Sequence, residues 1–211
     1  MLVKEDYNCI GQVAQHCDND KLCISENESL QFDLSKLYCS FWFDILEIWN
    51  ELIAYENDVI ECDLNPECTT PPTEPSGYEL KRNLIFGGEY ENCNGKTRLH
   101  KGVKMVLIYY SYARYTMENQ VSDTASGLVK KNNDFSTNLD FKELTSLSDK
   151  YRNFGLSTYK DTLHFLCANK STFDWFNAKE CGYCGCGSEK CSGTIAKGYG
   201  MRSQNISKPR R

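Results

Sequence analysis

Histidine is scarce in this chain, and so are the compact devices of catalysis. Only His16, His100 and His164 occur in 211 residues. None has a nucleophile and an acid beside it in a recognisable motif. There is no Walker-type phosphate loop, no Gly-x-Ser-x-Gly elbow and no His-Glu-x-x-His helix, the short signatures of nucleotide binding, acyl transfer and zinc peptidase chemistry. The expectation is a protein that is not an enzyme. No run of about 18 apolar residues exists, which excludes a membrane-spanning helix. The opening MLVKEDYNCIGQ lacks the apolar centre of a secretory signal, so assembly in a cytoplasm, with no membrane partner, is expected. Proline is sparse too: four of the five fall in NPECTTPPTEPSG, which reads as a loop or linker.

Basic residues are nearly missing from the first third. Residues 1–63 hold 14 acidic and 3 basic residues, a balance of −11, whereas the remainder carries +6. The last fifteen residues contain Lys197, Arg202, Lys208, Arg210 and Arg211 and no acid. This reads either as a solvated acidic face with a basic tail or as complementarity between neighbouring subunits, which favours ordered assembly.

What the chain has in quantity is helical period. In residues 33–56, Tyr38, Phe41, Trp42, Ile45, Trp49, Leu52 and Ile53 form a wide apolar face, with Asp33 or Ser35 as the candidate cap. From Arg98, the residues Leu99, Val103, Val106, Leu107, Tyr110, Ala113 and Met117 recur at steps of three and four. A returning helix begins near Asp140 and repeats Leu144, Leu147, Tyr151 and Phe154, then Tyr159, Leu163 and Leu166. Such stripes require partner faces, since isolated amphipathic helices are marginal in water. The predicted fold is mainly α: a bundle of three to four helices with long loops and a C-terminal cysteine-rich, zinc-knuckle-like segment. Its divisions are an irregular N-terminal arm at 1–32, a helical domain at 33–177 with a Pro-rich insertion at 62–97, and a cysteine-rich segment with a basic tail at 178–211. Within the insertion, Leu84, Ile85 and Phe86 read as a short strand or a loop anchor. The link 119–140 is long for a helix connection, and Gly127 to Lys131 suggests a short extended piece. Gly155 costs about 1 kcal/mol relative to Ala inside a helix, which marks a bend or a close helix crossing. His100 and His164 fall in the two helical patterns and read as surface or hydrogen-bonded core residues.

The run GVKMVLIYYSYARYTMEN, the link SDTASGLVKKNNDFS and the helix ending YKDTLHFLC together resemble the head–tail connector (adaptor, or ring) proteins of tailed bacteriophages, of the crAss-like or related Bacteroides phage type. The resemblance covers about a third of the chain, and its most distinctive part is Ser126-Gly127-Leu128-Val129. It implies a structural virion protein at the head–tail junction. Such a subunit forms a homo-oligomeric ring, commonly twelvefold, between the portal protein and neighbouring tail or ring proteins, with DNA in its channel.

Twelve cysteines without a secretory signal point to metal before disulfides. Cys181-Gly-Tyr-Cys184-Gly-Cys186-Gly-Ser-Glu-Lys-Cys191 places four thiols within eleven residues. Thiolates so spaced, with glycines to let the backbone turn, suit one tetrahedral structural zinc ion. Disulfides and an iron–sulfur cluster are the alternatives. Cys9, His16, Cys17 and Cys23 form a weaker candidate set. Cys62, Cys68 and Cys93 are candidates for metal or for disulfides, and Cys39 and Cys167 read as small core residues. The knuckle and basic tail also fit another function, a small zinc-dependent nucleic-acid-binding or regulatory protein.

Overall fold

The computed structural model describes residues 2–10, 18–92, 94–119, 121–124, 127–130 and 140–177. Among them the chain is mainly helical, as the periodicity predicts. The helices are α1 (Asn19–Glu28), α2 (Ser35–Tyr38), α3 (Trp42–Leu64), α4 (Tyr78–Phe86), α5 (Gly102–Glu118) and α6 (Phe141–Ala168). Two antiparallel ribbons join them. β1 (Gly88–Glu91) pairs with β2 (Thr97–His100), with Gly88 opposite His100, and β3 (Val121–Thr124) pairs with β4 (Gly127–Lys130).

The centre of the molecule is the antiparallel pair α5 and α6. Its contacts run in opposite directions along the two helices: Tyr109 meets Phe154, Tyr112 meets Tyr151, and Ser148 donates to the Ala113 carbonyl at 2.9 Å. α6 starts where the sequence places it. Asp140 accepts from the Glu143 amide at 2.7 Å and Glu143 accepts from the Asp140 amide at 3.0 Å, a reciprocal cap for two open amides. The buried face of α6 is unusually small-grained, with Ser148, Gly155, Thr158 and Thr162 on it. The aromatic rings of α5 take up the space. Gly155 therefore marks a close crossing, and Phe154, which the period puts in the stripe, sits at the rim with 44% exposure.

Around this pair, one core gathers Leu34, Tyr38, Phe41, Trp42, Ile45, Leu52, Leu84, Ile85, Val103, Val106, Leu163, Phe165 and Phe176. Each fully buried side chain of this size contributes about 1.5–3 kcal/mol of transfer free energy. The join between α4 and α5 needs two glycines back to back. Gly87 and Gly102 both have positive φ, and a Cβ on Gly102 would lie 2.4 Å from the Gly87 nitrogen, so no other residue fits.

Several expectations are corrected here. The N-terminal arm is not irregular: Asp18 caps α1 by accepting from the Lys21 amide at 3.2 Å. A π-helical turn at Ser29–Leu34 leads into α2, so neither Asp33 nor Ser35 caps a helix. Asp33 instead binds Arg114, and the Ser35 hydroxyl donates to the Gln31 carbonyl. The helix expected at 33–56 breaks at Cys39, whose φ is 52°, and then runs on to Leu64. That break leaves Cys39 exposed rather than in the core. The Pro-rich insertion holds structure of its own, because Leu84, Ile85 and Phe86 end helix α4. α5 starts at Gly102, which leaves Leu99 in β2 with 71% exposure.

Candidate functional site

The residues expected to carry chemistry do not converge in the described part of the chain. Cys181, Cys184, Cys186 and Cys191 lie outside the described residues, as do His16, Cys17 and Cys93. Cys62 and Cys68 are joined by a disulfide across a separation of six residues, so these two thiols are bonded to each other and not to a metal. It ties the last turn of α3 to the following loop. Cys9 and Cys23 are free thiols: Cys9 lies 2.9 Å from the Asp6 carbonyl and 3.6 Å from the Met105 sulfur. Cys167 is half-buried and packs against the core, as its place in the stripe suggests. Among the described residues, no group of three or more His, Cys, Asp or Glu side chains is placed to hold a metal ion.

His100 departs most from its sequence reading. It belongs to a strand, not a helix, and only 2% of it is exposed. Its ring stacks on Phe165 at 4.2 Å and meets Tyr90 edge-on at 5.6 Å. Neither ring nitrogen has a hydrogen-bond partner among the described residues. Burial among aromatic rings disfavours the imidazolium and lowers the pKa to about 4, since no opposite charge offsets the lost hydration. His164, by contrast, is exposed on α6.

Charge concentrates in two places. On one side of α5, Arg114 donates from Nε to Asp33 at 2.7 Å and from a terminal nitrogen to Glu28 at 2.8 Å. Arg152 of α6 approaches Asp33 at 3.9 Å. This cluster pins the π-helical turn onto the helix pair. No short motif signals it, because Arg114 lies 81 and 86 residues from its two carboxylates. The second concentration is α3, which carries seven acidic residues and no basic one. Among the described residues only Glu51 of these makes an ion pair, with Lys81 at 2.6 Å.

At the end of the α5–α6 pair stands the β3–β4 ribbon, in which Gly127 opens β4 as the extended piece expected in the link. A family model matches residues 74–185, just over half of the chain. It describes DUF6712, a family of unknown function. The chain belongs to that family. The DUF6712 match takes in α4, both ribbons, α5 and α6, and it starts after α3 ends. Searches of curated proteins and of solved structures find no match.

Proposed function

We propose that this chain is a structural virion protein, a head–tail connector subunit that forms a ring between portal and tail around the DNA channel. The observation that supports this most is the unit α5, β3–β4 ribbon, α6. The same stretch carries the sequence resemblance to connector proteins, and the helices in it are held in register by the Gly155 crossing. A rigid helix pair with a ribbon at one end suits a wall element that reaches a neighbour or the channel. The imbalance between the acidic first 63 residues and the basic remainder supports assembly by complementary surfaces. In the same reading, Cys181, Cys184, Cys186 and Cys191 hold a structural zinc ion that orders a segment too poor in apolar residues to fold by burial.

The test is electron imaging of the purified full chain and of the intact particle. Rings, with a matching collar at the head–tail junction, are the expected result. A chain that stays monomeric at every concentration and salt, with no such collar in the particle, rejects the reading.

A further inference from the structure

α3 has two apolar faces, and the fold uses one. Trp42, Ile45, Ile48, Trp49 and Leu52 are buried, and no residue of α3 after Leu52 is. The last twelve residues of the helix, about 18 Å at 1.5 Å per residue, therefore contribute no buried side chain to the core. Yet the open side is not polar. Phe43, Leu46, Asn50, Ile53, Asn57, Ile60 and Leu64 recur at alternating steps of three and four, the seam pattern of a helix that packs along another, with Leu46 half-buried where the seam meets the core. Phe43 is 78% exposed, Ile60 56% and Leu64 79%. The Cys62–Cys68 disulfide fastens the unsupported end of that seam, where an unpacked helix would otherwise fray.

The flanks of the seam say what can cover it. Glu47 and Glu61 border one side, and Glu56 and Asp63 the other. Two α3 helices laid together, parallel or antiparallel, would set these acids against each other. The seam therefore favours a face with exposed apolar anchors and more bases than acids, and this chain offers one. On the amino-terminal half of α6, Phe141 is 74% and Phe154 44% exposed. Lys142 and Lys150 lie beside them, with the Lys150 ammonium 5.8 Å from the Phe154 ring, and Thr145, Ser146, Asn153 and one acid, Asp149, complete the face, so its bases outnumber its acids two to one. We propose that the outer stripe of α3 docks on a second copy of this chain, along α6 between Phe141 and Phe154. Because the two surfaces differ, the contact is heterologous and propagates from copy to copy, closing into a ring when the rotation permits. The proposal rests on the ring reading and names the surface that would build it.

Sedimentation of the full chain tests this with two variants. Ile53→Glu with Ile60→Glu disables the seam, and Lys142→Glu with Lys150→Glu disables the receiving face. All four side chains lie outside the core, so each variant should melt like wild type. Each should weaken self-association by about a hundredfold or more, since carboxylates are buried in an apolar seam or set against like charge. Mixing the two variants leaves one competent contact per pair, so heterodimers that grow no further are expected. Raised salt should weaken wild-type assembly. Wild type that assembles together with both variants overturns the seam and leaves the ring reading standing. Loss in the seam variant alone places α3 against something other than α6 and also overturns the proposal. A monomeric wild type removes the ring reading and the seam together.

Discussion

Gly155 of α6 lies so close to Tyr110 of α5 that a Cβ at position 155 would sit 2.6 Å from the tyrosine ring. The missing side chain is therefore what sets the helix separation at the centre of the molecule. Gly155→Ala improves helix propensity by about 1 kcal/mol, but overpacking a tight contact costs about 1–3 kcal/mol. The expected outcome is a net loss of up to about 2 kcal/mol in urea unfolding. In a Tyr110→Ala background the same change should become stabilising, a coupling that a double-mutant cycle reads directly. A raised midpoint for Gly155→Ala alone would mean that the helices separate freely and only the propensity gain remains.

His100 makes stability depend on acid. The unfolded chain takes up a proton near pH 6.5, whereas the folded imidazole stays neutral down to about 4. Between these values the unfolded state binds more protons, so stability is complete above about 6.5 and falls as the pH falls toward 4. The loss attributable to this group is on the order of 3 kcal/mol. His100→Phe keeps an aromatic ring against Phe165 and removes the proton. The difference in unfolding free energy between variant and wild type should grow in the variant's favour from pH 7 to pH 4. A difference that is flat with pH would contradict the burial of a neutral imidazole.

Arg114 holds two carboxylates, of which Asp33 is the more buried at 12% side-chain exposure against 37% for Glu28. Among the described residues, Arg114→Met leaves Asp33 with only the Arg152 guanidinium at 3.9 Å, and a loss of about 1–3 kcal/mol is expected. Most of it should come from Asp33, because Glu28 keeps its water. Adding Asp33→Asn should therefore recover part of the loss. If it does not, the packing of the arginine stem and not the charge pair holds the π-helical turn.

The cysteine-rich segment is tested by metal content. Protein purified under reducing conditions should carry at least one zinc per chain, and Cys184→Ser should remove one equivalent. The α5 and α6 helices should persist in both, since their burial does not involve these thiols. Metal-free wild type with Cys181, Cys184, Cys186 and Cys191 oxidised in pairs would replace ligation with disulfide chemistry.

Where the chain is apolar at a regular step, sequence and fold agree. The α5 stripe from Val103 to Ala113 is buried as its period requires, and α6 starts near Asp140 as its stripe suggests. The mainly helical architecture was legible for the same reason: apolar spacing is a local property, and burial rewards it wherever a partner exists. α1 escaped that reading because its buried face is mostly polar. Leu22, Ser25 and Glu26, with Ser29 just past its end, fall at helical spacing, but only one is a hydrocarbon. The others are admitted because the fold supplies partners: the Ser29 hydroxyl donates to the Ser25 carbonyl at 2.8 Å, and Glu26 accepts from the Leu2 amide at 2.9 Å.

The amino-acid sequence by itself determined that the stretches around α3, α5 and α6 are helical, that Gly155 has a special role, and that acid gathers in the first third. Tertiary structure decided the rest through distance. It turned Asp33 from a cap into a partner of Arg114, placed His100 against Phe165, and broke the helical stretch expected at 33–56 at Cys39. Only packing shows which of the two apolar faces of α3 the core consumes and which stays open. A period of three and four is the same on either face, whereas burial depends on what the rest of the chain brings alongside.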